Sequence, residues 1–271
     1  YSRIYLLSYK VIKKEVEIMS TKQGKQTYTN DRKVYIRETA AIVGPREKEG
    51  PLGEYFDEVQ NEDFDEKSWE RAEAKFTSAT FHKLMGKIEL KSEDIDCILA
   101  GDLMNQCMSS SIGLRDSGVP YLGLFGACST IAEGMVTGSL RINSGGMDNV
   151  VCMASSNFCS AEKTLRMPIE QAGQRPPTAQ WTVSGAAGLW LSSNPGGPLI
   201  TSVTVGKITD FNITDANNMG AAMAPAAADT IIAHLTDLGL APDYYDAIIT
   251  GDLGLTGSGV LREIMDLHGF N

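Results

Sequence analysis

A cysteine at the turn from an apolar strand into a helix can serve two kinds of chemistry, and Cys128 occupies such a turn. The stretch Gly123-Leu124-Phe125-Gly126-Ala127-Cys128-Ser129-Thr130 leads from an apolar strand into a Gly- and Ala-rich helix whose body reads as 130–143. At a helix N-terminus, unpaired backbone N–H groups and the helix dipole lower a thiol's pKa and can hold an anion. Cys128 therefore reads either as a nucleophile or as the floor of a binding site. The other cysteines, Cys97, Cys107, Cys152 and Cys159, read as small apolar fillers. The five form no CxxC pair and no Cys/His ladder, which argues against a disulfide framework or a zinc site and for a reducing compartment. His82, His234 and His268 fall in helical or near-helical segments with no motif linking them to Cys128, and each reads as a surface or half-buried helix residue. A second polar candidate is Asp102, which ends the apolar run 95–101. A run too short for a helix and closed by a glycine reads as a buried strand, and its C-terminal end would deliver that carboxylate to the rim of a sheet.

The elements that must position these residues come in repeated order. The run 95–103 recurs at 245–253, an offset of 150, and both copies end in Gly-Asp-Leu. A helical pattern precedes each, at 68–86 and 219–238, and TAAIVG (39–44) and TSVTVG (201–206) precede those. The extra residues of the first copy fall in a Gly/Pro/Glu-rich insert, 45–64. Three matches in one order describe a duplicated α/β chain, with Asp102 and Asp252 expected at equivalent ends of two pseudo-symmetric strands. Ala132, Gly134, Gly138 and Ser139 lower the helix propensity of 130–143, so close packing against another element is the expected reason for them. Strands follow at 149–155 and 184–193, separated by a polar segment with Pro168, Pro176 and Pro177. Far less chain follows Leu253 than follows Leu103 before the repeat restarts, so the second half reads as incomplete.

Composition excludes several classes. With 271 residues, 42% hydrophobic and 21% charged, the chain can bury a full core and is not intrinsically disordered. Its net charge of −10 is spread without a basic patch, which argues against nucleic acid or an anionic membrane surface as a direct partner. No apolar run reaches the roughly 20 residues of a membrane-spanning helix, so membrane association is expected only through partner proteins. The chain begins at Tyr1, and Met19 reads as a plausible natural start.

GACSTIAEGMVTGSLRINSGGMDNVVCMASSN (126–157) with SGAAGLWLSS (184–193) resembles the nucleophile-bearing half of the thiolase superfamily. More specifically, VGPREKEGPLG (43–53), AGDLMNQ (100–106), FGACST (125–130) and MGAAMAPAAADTI (219–231) with TGDL (250–253) resemble the stage V sporulation AD family, over about 22–271. The resemblance implies an α/β, thiolase-like duplicated α/β/α/β/α core. Its first half would be 22–198 and the start of its second 199–271, with 1–21 a non-native or flexible extension. It implies a non-enzymatic protein that binds dipicolinic acid. Such a protein works with others of its sporulation operon, peripherally, at the inner membrane of the forespore and spore; a homodimer is compatible with it. The alternative is a thiolase or ketoacyl-synthase-type acyltransferase with Cys128 as nucleophile. Such an enzyme pairs its Cys with a His and a further His, Cys or Asn from the C-terminal half, and those positions would fall beyond Asn271. This sequence also has Ser155-Ser156-Asn157 where the family commonly has Ser-Ser-His.

The implied ligand sets its own demands: a planar pyridine with two carboxylates needs charge-assisted donors and a flat apolar slot. The residues expected to supply them are Asp102, Asn105, Cys128, Ser129, Thr130, Ser156, Asn157 and Arg166, with Lys163 as a second candidate cation. Asp102 would repel the ligand unless it is protonated, lies beside an Arg, or shares a bridging Ca²⁺. That Ca²⁺, arriving with dipicolinate, is the one cofactor allowed for.

Overall fold

The computed structural model describes residues 20–165, 176, 178–215 and 217–270. Its strands are β1 (Ser20–Gln23), β2 (Thr27–Val43), β3 (Glu58–Val59), β4 (Cys97–Gly101), β5 (Tyr121–Gly123), β6 (Asn149–Ser156), β7 (Gly185–Ser192) and β8 (Leu199–Thr204). Its helices are α1 (Pro45–Lys48), α2 (Trp69–Lys87), α3 (Met108–Gly113), α4 (Thr130–Asn143), α5 (Phe158–Leu165), α6 (Met219–Leu238) and α7 (Gly254–Leu267).

The five residues of β4, Cys-Ile-Leu-Ala-Gly, are all buried, which is why the run is apolar throughout instead of alternating. Ile98 and Ala100 pack on one face with Phe81 and Leu84 of α2. Cys97 and Leu99 pack on the other with Ile142 of α4. The sheet thus lies between a helical layer of α2 and α3 and a second layer containing α4. Its order is β1-β2-β7-β6-β4-β5, with β3 and β8 also paired to the long β2. β4 runs parallel to β5 and β6, while β7 is antiparallel to both β6 and β2. The register brings Gly101 opposite Ala154, and Gly185 opposite both Ser156 and Val43. The C-terminal ends of β2, β4 and β6 therefore meet the start of β7 at one edge.

Three helices, α2, α4 and α6, form where the sequence patterns place them. Ser68 caps α2, its hydroxyl accepting from the Arg71 N–H at 3.3 Å. α4 spans the expected residues, and its small side chains bring it against the sheet: a Cβ on Gly138 would lie 3.0 Å from Leu191. α6 also matches its pattern and stops at Gly239, whose φ of 65° is left-handed.

Two expectations are corrected. The run 245–253 is not a strand: residues 247–250 have no regular structure, pair with no strand among the described residues, and leave Ile248 and Ile249 exposed. Its apolar pattern equals that of β4, but a strand is made by its ladder neighbours, and β4 has β5 and β6. Tyr245 instead packs into a separate cluster with Ala228, Leu235 and Met265 of α6 and α7. Asp102 and Asp252 thus do not sit at the ends of two equivalent strands. The second correction concerns Ser20 and Thr21, placed by sequence in an extension, which pair with Asn30 and Thr29 as part of β1; residues 1–19 lie outside the described residues.

Gly101 admits no side chain, because a Cβ there would lie 2.1 Å from the Leu124 carbonyl oxygen. Gly101→Ala is expected to lower stability by about 3 kcal/mol, at the upper end for overpacking, read as a reduced urea midpoint.

Candidate functional site

A cavity of about 490 Å³ opens at the edge where β2, β4 and β6 end, the position at which open α/β sheets bind ligands. The strand ends supply Val43, Ala154, Ser155 and Ser156; the segment before β7 supplies Gln180, Trp181, Thr182 and Val183; α6 supplies Met219 and Met223. Cys128 lines it and is exposed. A tight 3-10 turn, Ala127–Ser129, leads directly into α4. Ala127 is left-handed at φ 48°, a conformation that costs a non-glycine residue about 1 kcal/mol or more. Two side chains hold it: Thr130 Oγ1 donates to the Ala127 carbonyl at 2.8 Å and Ser129 Oγ to the Gly126 carbonyl at 2.7 Å. The turn therefore presents the sulfur to the cavity at the positive end of α4.

The expected ligand residues divide. Cys128, Thr130 and Ser156 line the cavity, with Ser156 Oγ donating to the Val183 carbonyl at 2.6 Å. Asp102, Asn105, Ser129 and Asn157 do not line it. Asp102 is only 2% exposed, and its carboxylate accepts from the Met104 N–H at 2.9 Å, the Ser110 N–H at 2.7 Å and the Ser110 hydroxyl. It fastens the start of α3 to the end of β4 and has no surface to offer a ligand. Asn157 is fully buried: its side-chain oxygen accepts from the Cys159 N–H at 3.0 Å at the start of α5, and its amide donates to the Glu62 carbonyl at 2.9 Å. Asn105 is exposed in the 3-10 turn Asn105–Cys107. Lys163 is exposed and pairs with Glu70 at 3.6 Å, and Arg166 lies outside the described residues.

Three groups escaped the sequence reading. Arg46 stands over the Trp181 ring, 3.8 Å from its centroid, and Trp181 stacks on Phe158 at 4.9 Å, so a cation and an aromatic wall adjoin the cavity. Glu47 lines the cavity and accepts from the Ser184 N–H at 3.2 Å, while its other oxygen is buried with no hydrogen-bond partner among the described residues; burial raises its pKa. Glu73 on α2 is fully buried and accepts from Ser155 Oγ at 3.2 Å and Ser160 Oγ at 2.8 Å. Burial pushes its carboxyl up to about 7, opposed by the Ser160 hydrogen bond and aided by the charge of Asp102. A signal for Glu73 was present, since it falls on the helix face of Phe76, Thr77, Thr80 and Leu84, all buried. Among the described residues no group of three or more His, Cys, Asp or Glu side chains is placed to hold a metal. None of the three histidines lines the cavity; His234 bonds instead to Thr204 at 2.7 Å and Tyr245 at 2.6 Å.

A sheet between helical layers, with a cysteine turned into a cavity at the strand ends, is a thiolase-like arrangement, and solved structures bear this out. OleA from Xanthomonas campestris, co-crystallised with cerulenin, superposes with a TM-score of 0.61 at 13% identity over 88% of this chain and 80% of that one. A cerulenin-soaked OleA crystal gives 0.58 at 13% identity, over 86% and 81%. Residues 24–271 match the family of stage V sporulation protein AD (SpoVAD), and the chain belongs to it. The stage V sporulation protein AD of Bacillus subtilis (strain 168) is 41% identical over 248 residues, covering 91% of this chain and 73% of that protein. The chain is thus a sporulation protein on a thiolase-like fold. No helix among the described residues is long and apolar enough to cross a membrane.

The folded state binds the Glu73 proton more tightly than the unfolded chain, whose glutamate titrates at its ordinary value of about 4.5. Stability from this group is full below about pH 4.5 and is lost as pH rises through about 7, by roughly 3 kcal/mol. In urea melts at about pH 5 and about pH 8, Glu73→Gln is expected to remove that part of the pH dependence. Asp102→Ala, which strands three buried donors, is expected to lose about 3 kcal/mol at both pH values.

Proposed function

We propose that this chain binds dipicolinic acid reversibly in the cavity at Cys128, without catalysing a reaction. It would serve dipicolinate loading at the inner membrane of the forespore and spore, reaching the membrane through other proteins of its operon. The observation that carries this reading is the cavity itself. Its volume of about 490 Å³ falls in the roughly 300–1,000 Å³ range of small-molecule sites, and one of its walls is aromatic. A planar diacid meets there an apolar wall that includes Trp181 and Val183, and the N-terminus of α4 for one carboxylate; Arg46, over Trp181 and outside the lining, is the nearest candidate cation for the other. Lys163 is already engaged by Glu70, and Arg46 is a candidate cation in its place. Membership of the stage V sporulation protein AD family supports the sporulation context.

The exposure of the Cys128 sulfur at the cavity favours one second reading, acyl transfer with Cys128 as nucleophile. The two predict opposite outcomes. On the binding account, calorimetric titration with dipicolinate, with and without Ca²⁺, gives saturable heat. Arg46→Ala then weakens binding by about tenfold or more, and Cys128→Ala by about 1 kcal/mol, the worth of one contact. Incubation with acyl-CoA leaves the intact mass unchanged. A stable acyl adduct on Cys128, or no heat from a well-folded protein, transfers the assignment to the condensing enzyme.

A further inference from the structure

Ser155 joins the cavity to a buried acid that the binding account leaves unused. It lines the cavity wall, and on its other side its hydroxyl donates to Glu73 Oε1 at 3.2 Å. A serine hydroxyl has a single proton to give. While Glu73 is ionised, that proton is committed to the carboxylate and Ser155 can only accept from the cavity side. Once Glu73 is protonated, its O–H can donate to Ser155 Oγ, and the serine proton is released toward the cavity. An anion there gains a donor only in the second state and, in the same state, loses the repulsion of a buried negative charge behind the wall. We infer that carboxylate binding in this cavity is linked to uptake of one proton by Glu73, with Ser155 as the hydrogen-bond relay between them. The inference rests on the anion-binding reading above and assigns that site its pH regulation.

The surroundings of Glu73 suit a proton that moves with the ligand. Hydroxyls face it from β6 (Ser155), α5 (Ser160) and α3 (Ser109), and the charged group acting on it is Asp102, past the end of β4. Asp102 is held by Ser110 and the backbone, so its charge stays close to Glu73 and opposes a second one. Lys163 on α5 is paired with Glu70, one turn before Glu73 on α2. Within the cavity wall, the ionisable side chains are Glu47, Asp252 and Cys128. Of these Glu47 also has a raised pKa from burial, which makes it the competing proton site. Glu73 touches no ligand in this scheme: it is a positioning residue acting through Ser155.

The test is calorimetry of the whole chain with dipicolinate, from about pH 6 to about pH 8.5, in pairs of buffers of different ionisation enthalpy. Over this range the ligand's carboxylates are ionised throughout, so a proton taken up belongs to the protein. We expect the wild type to take up close to one proton per ligand at the alkaline end, with Kd rising up to about tenfold per pH unit above neutrality. Glu73→Gln presents an N–H to Ser155 at every pH, as the protonated acid does. It should bind at about pH 8.5 as tightly as the wild type does at about pH 6, with no proton uptake. Ser155→Ala should weaken binding at about pH 6 and flatten the profile; Glu47→Gln alters the cavity wall and so the affinity, but should still take up the proton, and loss of uptake in that variant overturns the inference. A Glu73→Gln protein that keeps the wild-type proton uptake overturns the inference and leaves the ligand reading standing. Absence of binding by both proteins at every pH overturns the ligand reading, and the inference with it.

Discussion

The site depends on how closely the end of β4 passes beneath the turn that precedes α4. Gly101 comes so near the Leu124 backbone that no side chain fits between them, and the Leu124 N–H completes the approach by donating to the Ala100 carbonyl at 2.9 Å. From that anchored residue only three remain before Cys128, and the chain must reverse within them to enter α4. It does so by forcing Ala127 into a left-handed conformation that the Thr130 hydroxyl holds in place. The strain and its compensation lie within one turn, and their result is a sulfur facing the cavity instead of the core. Cys97 and Cys152, set inside β4 and β6, show the opposite outcome: both are buried, and burial raises both thiol pKa values.

Beneath the rim, buried polar groups do structural work that their residue types disguise. Asp102 gathers the chain after β4, Asn157 starts α5, and Glu73 ties α2 to β6 and α5 through two serines. Each is a group whose burial would be costly unpaired, and each is paired with hydroxyls or backbone N–H groups from a different element. The layer behind the cavity is therefore stiff where it meets Asp102 and Asn157. It retains one place, Glu73, where the charge state is balanced near neutrality.

Much of this was legible in the sequence because it is local. The apolar periods of α2, α4 and α6, the short buried runs of β4, β6 and β7, and the strand-to-helix turn at Cys128 all follow from spacing and from glycine placement. What was not legible depends on partners far along the chain. The run at 245–253 carries the same pattern as β4, yet it is no strand and leaves Ile248 and Ile249 exposed, because an apolar run becomes a strand only beside a neighbouring ladder. Asp102 looked like a carboxylate at an open rim, but Ser110, eight residues on, folds back to cover it. Arg46 was hidden in an insert, and its role appears only when Trp181, far along the sequence, comes under its guanidinium.

A crystal structure of the protein grown with dipicolinate separates reversible diacid binding in the cavity at the N-terminus of α4 from its alternatives. Reversible binding places a planar ligand in this cavity beside Trp181, with one carboxylate at the first turn of α4 and no bond to the Cys128 sulfur. Ligand density at any other place on the protein, or continuous density from the Cys128 sulfur to a bound acyl group, would contradict it.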